Sequence, residues 1–306
     1  MDALVFPSQG RRRDGREAVP VQLADMAVAA LIDEATLTPK PGLVDLRSRG
    51  AHRDMDWLLL CHSAWALHPA FCALAEAGRQ IAEPLALRER IGQIGRDGEA
   101  AMMRATGGIN THRGAIWALG LLVTAAAQEP ALQAPQAVAV RAGVIARYRD
   151  RLAPASTGNK GEIACRRHGV GGARAEAQAG FPHAIHVALP CLERSRANGG
   201  DERSARLNAL VALMAQLDDT CVLSRGGSAA LAAVQAGAAQ VLAAGGAGCR
   251  EGRRALRKLE RSLIAANLSP GGAADLLAAT LFLDRLADNR GQTTFHRKLN
   301  GMGIPN

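Results

Sequence analysis

Aromatic residues are scarce in this chain of 306 residues: five phenylalanines, three tryptophans and one tyrosine, 3% in all. So few rings leave little surface for stacking nucleic-acid bases. β-Branched runs bounded by turn residues are nearly absent, which argues against strands. The six cysteines, at 61, 72, 165, 191, 221 and 249, include no C-x-x-C pair, so neither a zinc module nor a secreted disulfide framework is indicated, and they read as reduced core thiols. Met1 to Arg16 lacks an apolar signal core. The longest apolar stretch, Gly114 to Ala127, is 14 residues, the length of a core helix and short of a bilayer span. These absences predict a cytoplasmic protein with no membrane segment.

What remains is rich in alanine, leucine and arginine. There are 33 arginines but four lysines, and the 37 cations against 28 carboxylates give a net charge of +9. A cationic surplus favours an anionic partner. The arginines are scattered along helical segments, not gathered in a stripe, which favours an anionic small molecule over nucleic acid. The pattern predicts an all-α fold: a single compact multi-helix domain over 18–300, with roughly ten helices and no significant sheet. A disordered basic tail over 1–17, carrying Arg11-Arg12-Arg13-Asp14-Gly15-Arg16, precedes it. Leu23, Met26, Ala27, Ala30 and Leu31 recur at helical spacing, and the prolines of Thr38-Pro39-Lys40-Pro41-Gly42 forbid that helix to continue. Further helices are expected near 55–78, 86–105, 112–127, 136–152, 183–197, 203–218, 227–244, 250–267 and 270–288.

Four glycine pairs stand where helices should begin: before His112-Arg113, at Gly171-Gly172, at Gly226-Gly227 and at Gly271-Gly272. Helix N-termini carry unpaired N–H groups and partial positive charge, and glycine lets an anion approach them, so the repetition predicts phosphate binding. In the last case Ser269 would be the N-cap and Pro270 the first helical residue. Ser156 to Gly161 forms a polar loop that reads as either a lid or a surface turn.

Several charges stand against the helix dipole. Glu34 falls in a last turn and Asp218-Asp219 follow another helix, while His112, Arg113 and Arg225 sit at expected helix starts. The misplaced acids become candidates for a cation and the misplaced bases for phosphate. Asp54 and Asp56 would point roughly 200° apart on a helix, so Asp54 is either an N-cap or a site acid. His183 and His186 lie one turn apart, but zinc would need a third ligand that is not found locally. Lys40, between two prolines, could hold a phosphate as a point charge. Asp275 could be a general base, a metal-bridging carboxylate or a ribose acceptor.

Read together, Glu34 to Asp45, Gly50 to Asp56, Asn110-Thr111-His112-Arg113-Gly114-Ala115 and Leu268-Ser269-Pro270-Gly271-Gly272-Ala273-Ala274-Asp275-Leu276-Leu277-Ala278 resemble the triphosphoribosyl-dephospho-CoA synthase family. Gly180-Phe181-Pro182, Asp218-Asp219-Thr220 and Arg225-Gly226-Gly227 fall in the expected order between them, so the resemblance spans about 22–288. It implies a glycosyl transfer in which ATP and 3′-dephospho-CoA give free adenine and 2′-(5″-triphosphoribosyl)-3′-dephospho-CoA. That product is a prosthetic-group precursor, passed by a separate transferase to the acyl-carrier subunit of malonate decarboxylase or citrate lyase, with the malonate branch favoured by the length and arginine-rich character. The resemblance also brings Mg²⁺ with ATP and allows a homo-oligomer. Charge and position assign Asp219 and Glu34, with Asp218 beside them, to Mg²⁺ or ribose-cation stabilisation, and Asp275 or Asp54 to the base. Lys40, His112, Arg113, Arg225, Gly226, Gly227, Ser269, Gly271 and Gly272 are assigned to phosphates. A Mg²⁺-dependent glycohydrolase resembling ADP-ribosylglycohydrolases and a nucleotide-binding regulatory module are the competing readings.

Overall fold

A computed structural model of the chain describes the backbone of residues 15–132 and 134–301, and the side chains of 19–132 and 134–288. Of the expected tail, residues 1–14 lie outside the described residues, whereas 15–17 belong to the first helix, α1 (Gly15–Thr36). The described residues hold thirteen α-helices and no strand.

Prolines set several boundaries. The expected helix over 55–78 is two, α2 (Trp57–Ala66) and α3 (His68–Gln80), because Pro69 has no N–H to return to the preceding turn. Glu83 caps α4 (Pro84–Ala105), donated to by the amides of Leu85 and Ala86. After α5 (Arg113–Gln128), α6 (Pro135–Arg147) stops earlier than expected, at Tyr148. The polar loop that follows is an ordered turn. Its Ser156 and Thr157 hydroxyls and the Thr157 and Gly158 amides donate to Glu162, and Asn159 caps α7 (Lys160–His168). α7 was not among the expected helices, and α8 (Gly172–Gln178) begins at the Gly171-Gly172 pair that marked a helix start; both are too short to show periodicity. A π turn over Ala184–Ala188, just ahead of Pro190, leads into α9 (Leu189–Ala197) and α10 (Glu202–Gln216). The chain ends with α11 (Thr220–Ala243), α12 (Arg250–Ala265) and α13 (Gly271–Gly301).

α5 is the centre. It is apolar on every side, buried from Ala115 to Ala127 apart from Trp117, and packed against α1, α3, α4, α6 and α13. Its one buried hydroxyl, Thr124, donates to Gly120 O at 2.7 Å, so the core carries no unpaired polar group there. Trp57–Gln80 is long and apolar enough to cross a membrane, but it breaks at Leu67, and its second half packs on α1 and α5.

Candidate active site

Three helix N-termini, those of α5, α11 and α13, meet the C-terminal turn of α1 and the loop 37–56, and Glu34, Lys40, Asp45, His112, Asp219 and Ser269 are buried there. The loop is organised by Asp45, which accepts hydrogen bonds from the Thr38 hydroxyl and from the amides of Lys40, Arg47 and Ser48. Burial would push this carboxyl up, but the four bonds outweigh it and hold it below the ordinary carboxylate value. The loop thereby carries Lys40 inward, and its side chain is 1% exposed. Its Nζ contacts Glu34 Oε1 and donates to Glu34 O at 2.6 Å. Lys40, expected to offer its charge to a phosphate, is instead paired with the acid at the end of α1. That pairing resolves the clash of Glu34 with the α1 dipole.

Asp219 does not end a helix, as expected, but opens one. Its Oδ1 accepts from the amides of Cys221 at 2.8 Å and Val222 at 3.3 Å, capping α11. Its Oδ2 accepts from the Ala273 amide at 2.9 Å in the first turn of α13, and the Gly272 amide adds a further bond. One carboxylate thus caps two helices, a placement that the dipole favours. Burial nevertheless raises its pKa. The α13 start, expected as a phosphate cradle, has these amides engaged by Asp219. Gly271 and Gly272 are glycines for a different reason: a Cβ at each would stand 3.0 Å from Cys221 Sγ and 3.1 Å from Asp219 Oδ2. Ser269 is not the cap either, since its Oγ lies 2.9 Å from His52 Nε2.

Asp275, one turn into α13, is held by a backbone bond from Ala115 at the start of α5. Burial, then the charges of Glu34 and Asp219, raise its pKa well above the usual value. The charges of Glu34 and Asp219 are therefore close enough to oppose ionisation of Asp275, with Lys40 as the cation at Glu34. Of the three acids, Asp275 has the least engaged carboxylate.

His112 is the N-cap residue of α5, but its ring does not cap. Nδ1 lies 2.8 Å from Ser63 Oγ, which lies 2.6 Å from Thr111 Oγ1. Burial, and then the Lys40 charge, lower its pKa to about 4, so the imidazole is neutral and is no counter-charge for phosphate.

The remaining expected residues lie around this cluster. Arg113 Nε donates to Glu99 at 3.0 Å. Arg225 stands two residues before the break in α11 at which its second helical half starts, and Nη1 donates to Ala51 O at 3.0 Å and Asn267 O at 3.1 Å, tying the loop 37–56 to the α12–α13 connection. Gly227 (φ 69°, ψ −168°) breaks α11, so Gly226 and Gly227 mark a kink between two helical halves. Asp54 is 61% exposed and faces His52 at 3.8 Å, outside the buried cluster; the α2 cap is Asp56. Asp218 is exposed and lends its charge to His183, so it does not share a site with Asp219. His183 is itself bound by Glu176 at 2.7 Å. The pair Gly107-Gly108 closes α4, with Gly108 N bonded to Met103 O at 2.8 Å. Among the described residues no three His, Cys, Asp or Glu groups converge to hold a metal by themselves.

Sequence reasoning missed Ser63, Thr111 and Asp45. Asp45 and Thr111 stand inside the quoted motifs and could have been singled out there. Ser63 sits in an apolar helix with no motif around it.

A helical body with one buried cluster of opposed carboxylates, a lysine and a neutral histidine has the architecture of an all-α enzyme working in a closed site. The family model of ATP:dephospho-CoA triphosphoribosyl transferase matches residues 20–294, and the chain belongs to that family. It is 59% identical over 272 residues to an Azotobacter vinelandii protein named "probable 2-(5''-triphosphoribosyl)-3'-dephosphocoenzyme-A synthase", covering 89% of this chain and 93% of that one. It is 57% identical over 265 residues to the Klebsiella pneumoniae 2-(5''-triphosphoribosyl)-3'-dephosphocoenzyme-A synthase, covering 87% and 94%. No solved structure matches it significantly.

Proposed function

We propose that this enzyme transfers the triphosphoribosyl group of ATP to the 2′-hydroxyl of 3′-dephospho-CoA, releasing adenine. The convergence of Asp275, Glu34 and Asp219 carries this reading. Breaking the bond between ribose C1′ and the purine sends the electron pair out with adenine and leaves an oxocarbenium-like ribose, which nearby carboxylates stabilise. The 2′-hydroxyl oxygen then bonds to C1′ as its proton passes to a base. Asp275 suits that role, because its raised pKa brings it towards the operating pH, where a general base contributes roughly 10²–10⁴-fold.

Mg²⁺ fits the donor set in a limited way. A Mg²⁺ held chiefly by phosphate oxygens needs one or two carboxylates, and Glu34, whose Oε1 meets Lys40, would supply one, leaving Asp275 free as the base. Bound there, it would neutralise charge on the triphosphate. Arg225 and the kink at Gly226-Gly227 lie on the exposed rim, where the remaining phosphate charge would be met. The product would pass, in the cytoplasm, to a separate transferase that loads the acyl-carrier subunit of malonate decarboxylase. Supplying product to the apo-carriers of malonate decarboxylase and citrate lyase separates those destinations.

The test is chromatography of the protein with ATP, Mg²⁺ and 3′-dephospho-CoA. Adenine and a heavier dephospho-CoA species should appear together, only with both substrates present, and chelation should stop both. Adenine formed without dephospho-CoA would mean glycohydrolysis and overturn the reading; intact ATP would overturn both.

A further inference from the structure

Two buried side-chain nitrogens among the described residues lack a hydrogen-bond partner: Arg88 Nε and His112 Nε2. Arg88 has compensation, since its guanidinium lies 5.2 Å over the Trp117 ring and faces Asp150 at 3.7 Å. His112 has none on that side, although it is 4% exposed. A buried polar group without a partner is costly, and a native site that keeps one commonly reserves it for a ligand.

The opposite edge of the ring is well held. Ser63 is fully buried in α2, where a serine could bond back to its own helix, yet its Oγ reaches across to both Thr111 and His112. Two hydrogen arrangements satisfy this relay. In the one that uses both hydroxyl hydrogens within it, Thr111 donates to Ser63 Oγ and Ser63 donates to Nδ1, and the ring hydrogen falls on Nε2.

We propose that Ser63, backed by Thr111, is a positioning residue that fixes the tautomer and orientation of His112, so that Nε2–H is presented as a donor to an uncharged acceptor of the nucleotide, a purine nitrogen or a ribose oxygen. This rests on the cluster being the transferase site. The neutrality of the ring beside Lys40 agrees with it, because a neutral donor suits a purine or ribose better than a phosphate. His112 therefore leaves the phosphate-binding set to which its position at a helix start assigned it.

The test is a double-mutant cycle on adenine release with S63A, T111V, H112Q and the combinations S63A/H112Q and T111V/H112Q, together with S63T and ¹⁵N NMR of the His112 ring. S63A should lower kcat/KM for ATP about tenfold or more, S63T should restore most of it, and T111V should show a smaller loss. In the H112Q background neither S63A nor T111V should cost anything further. Multiplicative losses in the double variants, or an S63A enzyme at the wild-type rate, would overturn the proposal. If S63A does not fold, the T111V pair decides the same point. The NMR signal should show Nε2 protonated in the wild type and a mixture of tautomers in S63A; an Nδ1-protonated wild type would overturn the donor assignment. A wild type that releases no adenine would instead sink the transferase reading, and the NMR result would still decide the positioning.

Discussion

Gly114 faces Asp275 so closely that a Cβ at position 114 would stand 2.0 Å from Asp275 Oδ2. Alanine is worth roughly 1 kcal/mol more than glycine in a helix interior, yet here the added methyl would meet the carboxylate that opposes Glu34 and Asp219. Gly114→Ala should therefore destabilise the protein by about 1–3 kcal/mol through overpacking. Displacing Asp275 should also reduce adenine release by at least about tenfold. Denaturant unfolding and the adenine assay check the two effects. A variant with full activity would show that the placement of Asp275 does not matter.

Asp219→Asn replaces one acceptor oxygen with an NH₂ group facing amides that need an acceptor. The sequence assigns Asp219 to Mg²⁺ or ribose-cation stabilisation, a chemical role alone. The double cap on α11 and α13 predicts that both fail together, with a stability loss of about 1–3 kcal/mol alongside the loss of turnover. An unfolding midpoint equal to wild type would remove the structural role.

Asp275→Asn should behave in the opposite way. A group whose folded pKa is raised contributes stability that is complete below its unfolded value and is lost as pH rises through the folded one. Charge on Asp275 is thus disfavoured in the folded protein, which costs stability once the unfolded chain ionises there, and the neutral isostere removes that cost. The variant should melt higher than wild type at pH 8, lose that advantage near pH 4, and release no adenine. Melting curves at the two pH values, read beside turnover, decide it.

His112 supplies a pH dependence of its own. With its pKa lowered to about 4 from the ordinary 6.5, the unfolded chain binds a proton between those values that the folded protein refuses. Stability from this group is therefore present above pH 6.5 and falls as the pH drops towards 4, at up to about 1.4 kcal/mol per pH unit. His112→Gln lacks that component, so its stability should fall less steeply than wild type in urea titrations at pH 7, 6 and 5. Equal slopes would mean that the ring takes up its proton freely in the fold.

Much of the architecture was legible in the residues. Near-absence of β-branched runs, together with 3.6-residue periodicity, gave an all-helical body, and prolines marked the end of α1, because a residue without an N–H cannot continue a helix. The motifs also named Glu34, Lys40, His112, Asp219 and Asp275 before any of them had a position. Their relationships were not legible. The glycine pairs at 107–108 and 271–272 look alike in sequence, but one closes α4 and the other makes room for Cys221 and Asp219. Asp219 reads as an acid after a helix, but its second oxygen serves a helix that begins more than fifty residues later. Ser63 is one small residue in an apolar helix until α2 and α5 pack and bring it to His112. Local propensity is written in neighbouring residues, whereas capping across helices, charge opposition and hydroxyl relays depend on distances between segments that only tertiary packing sets.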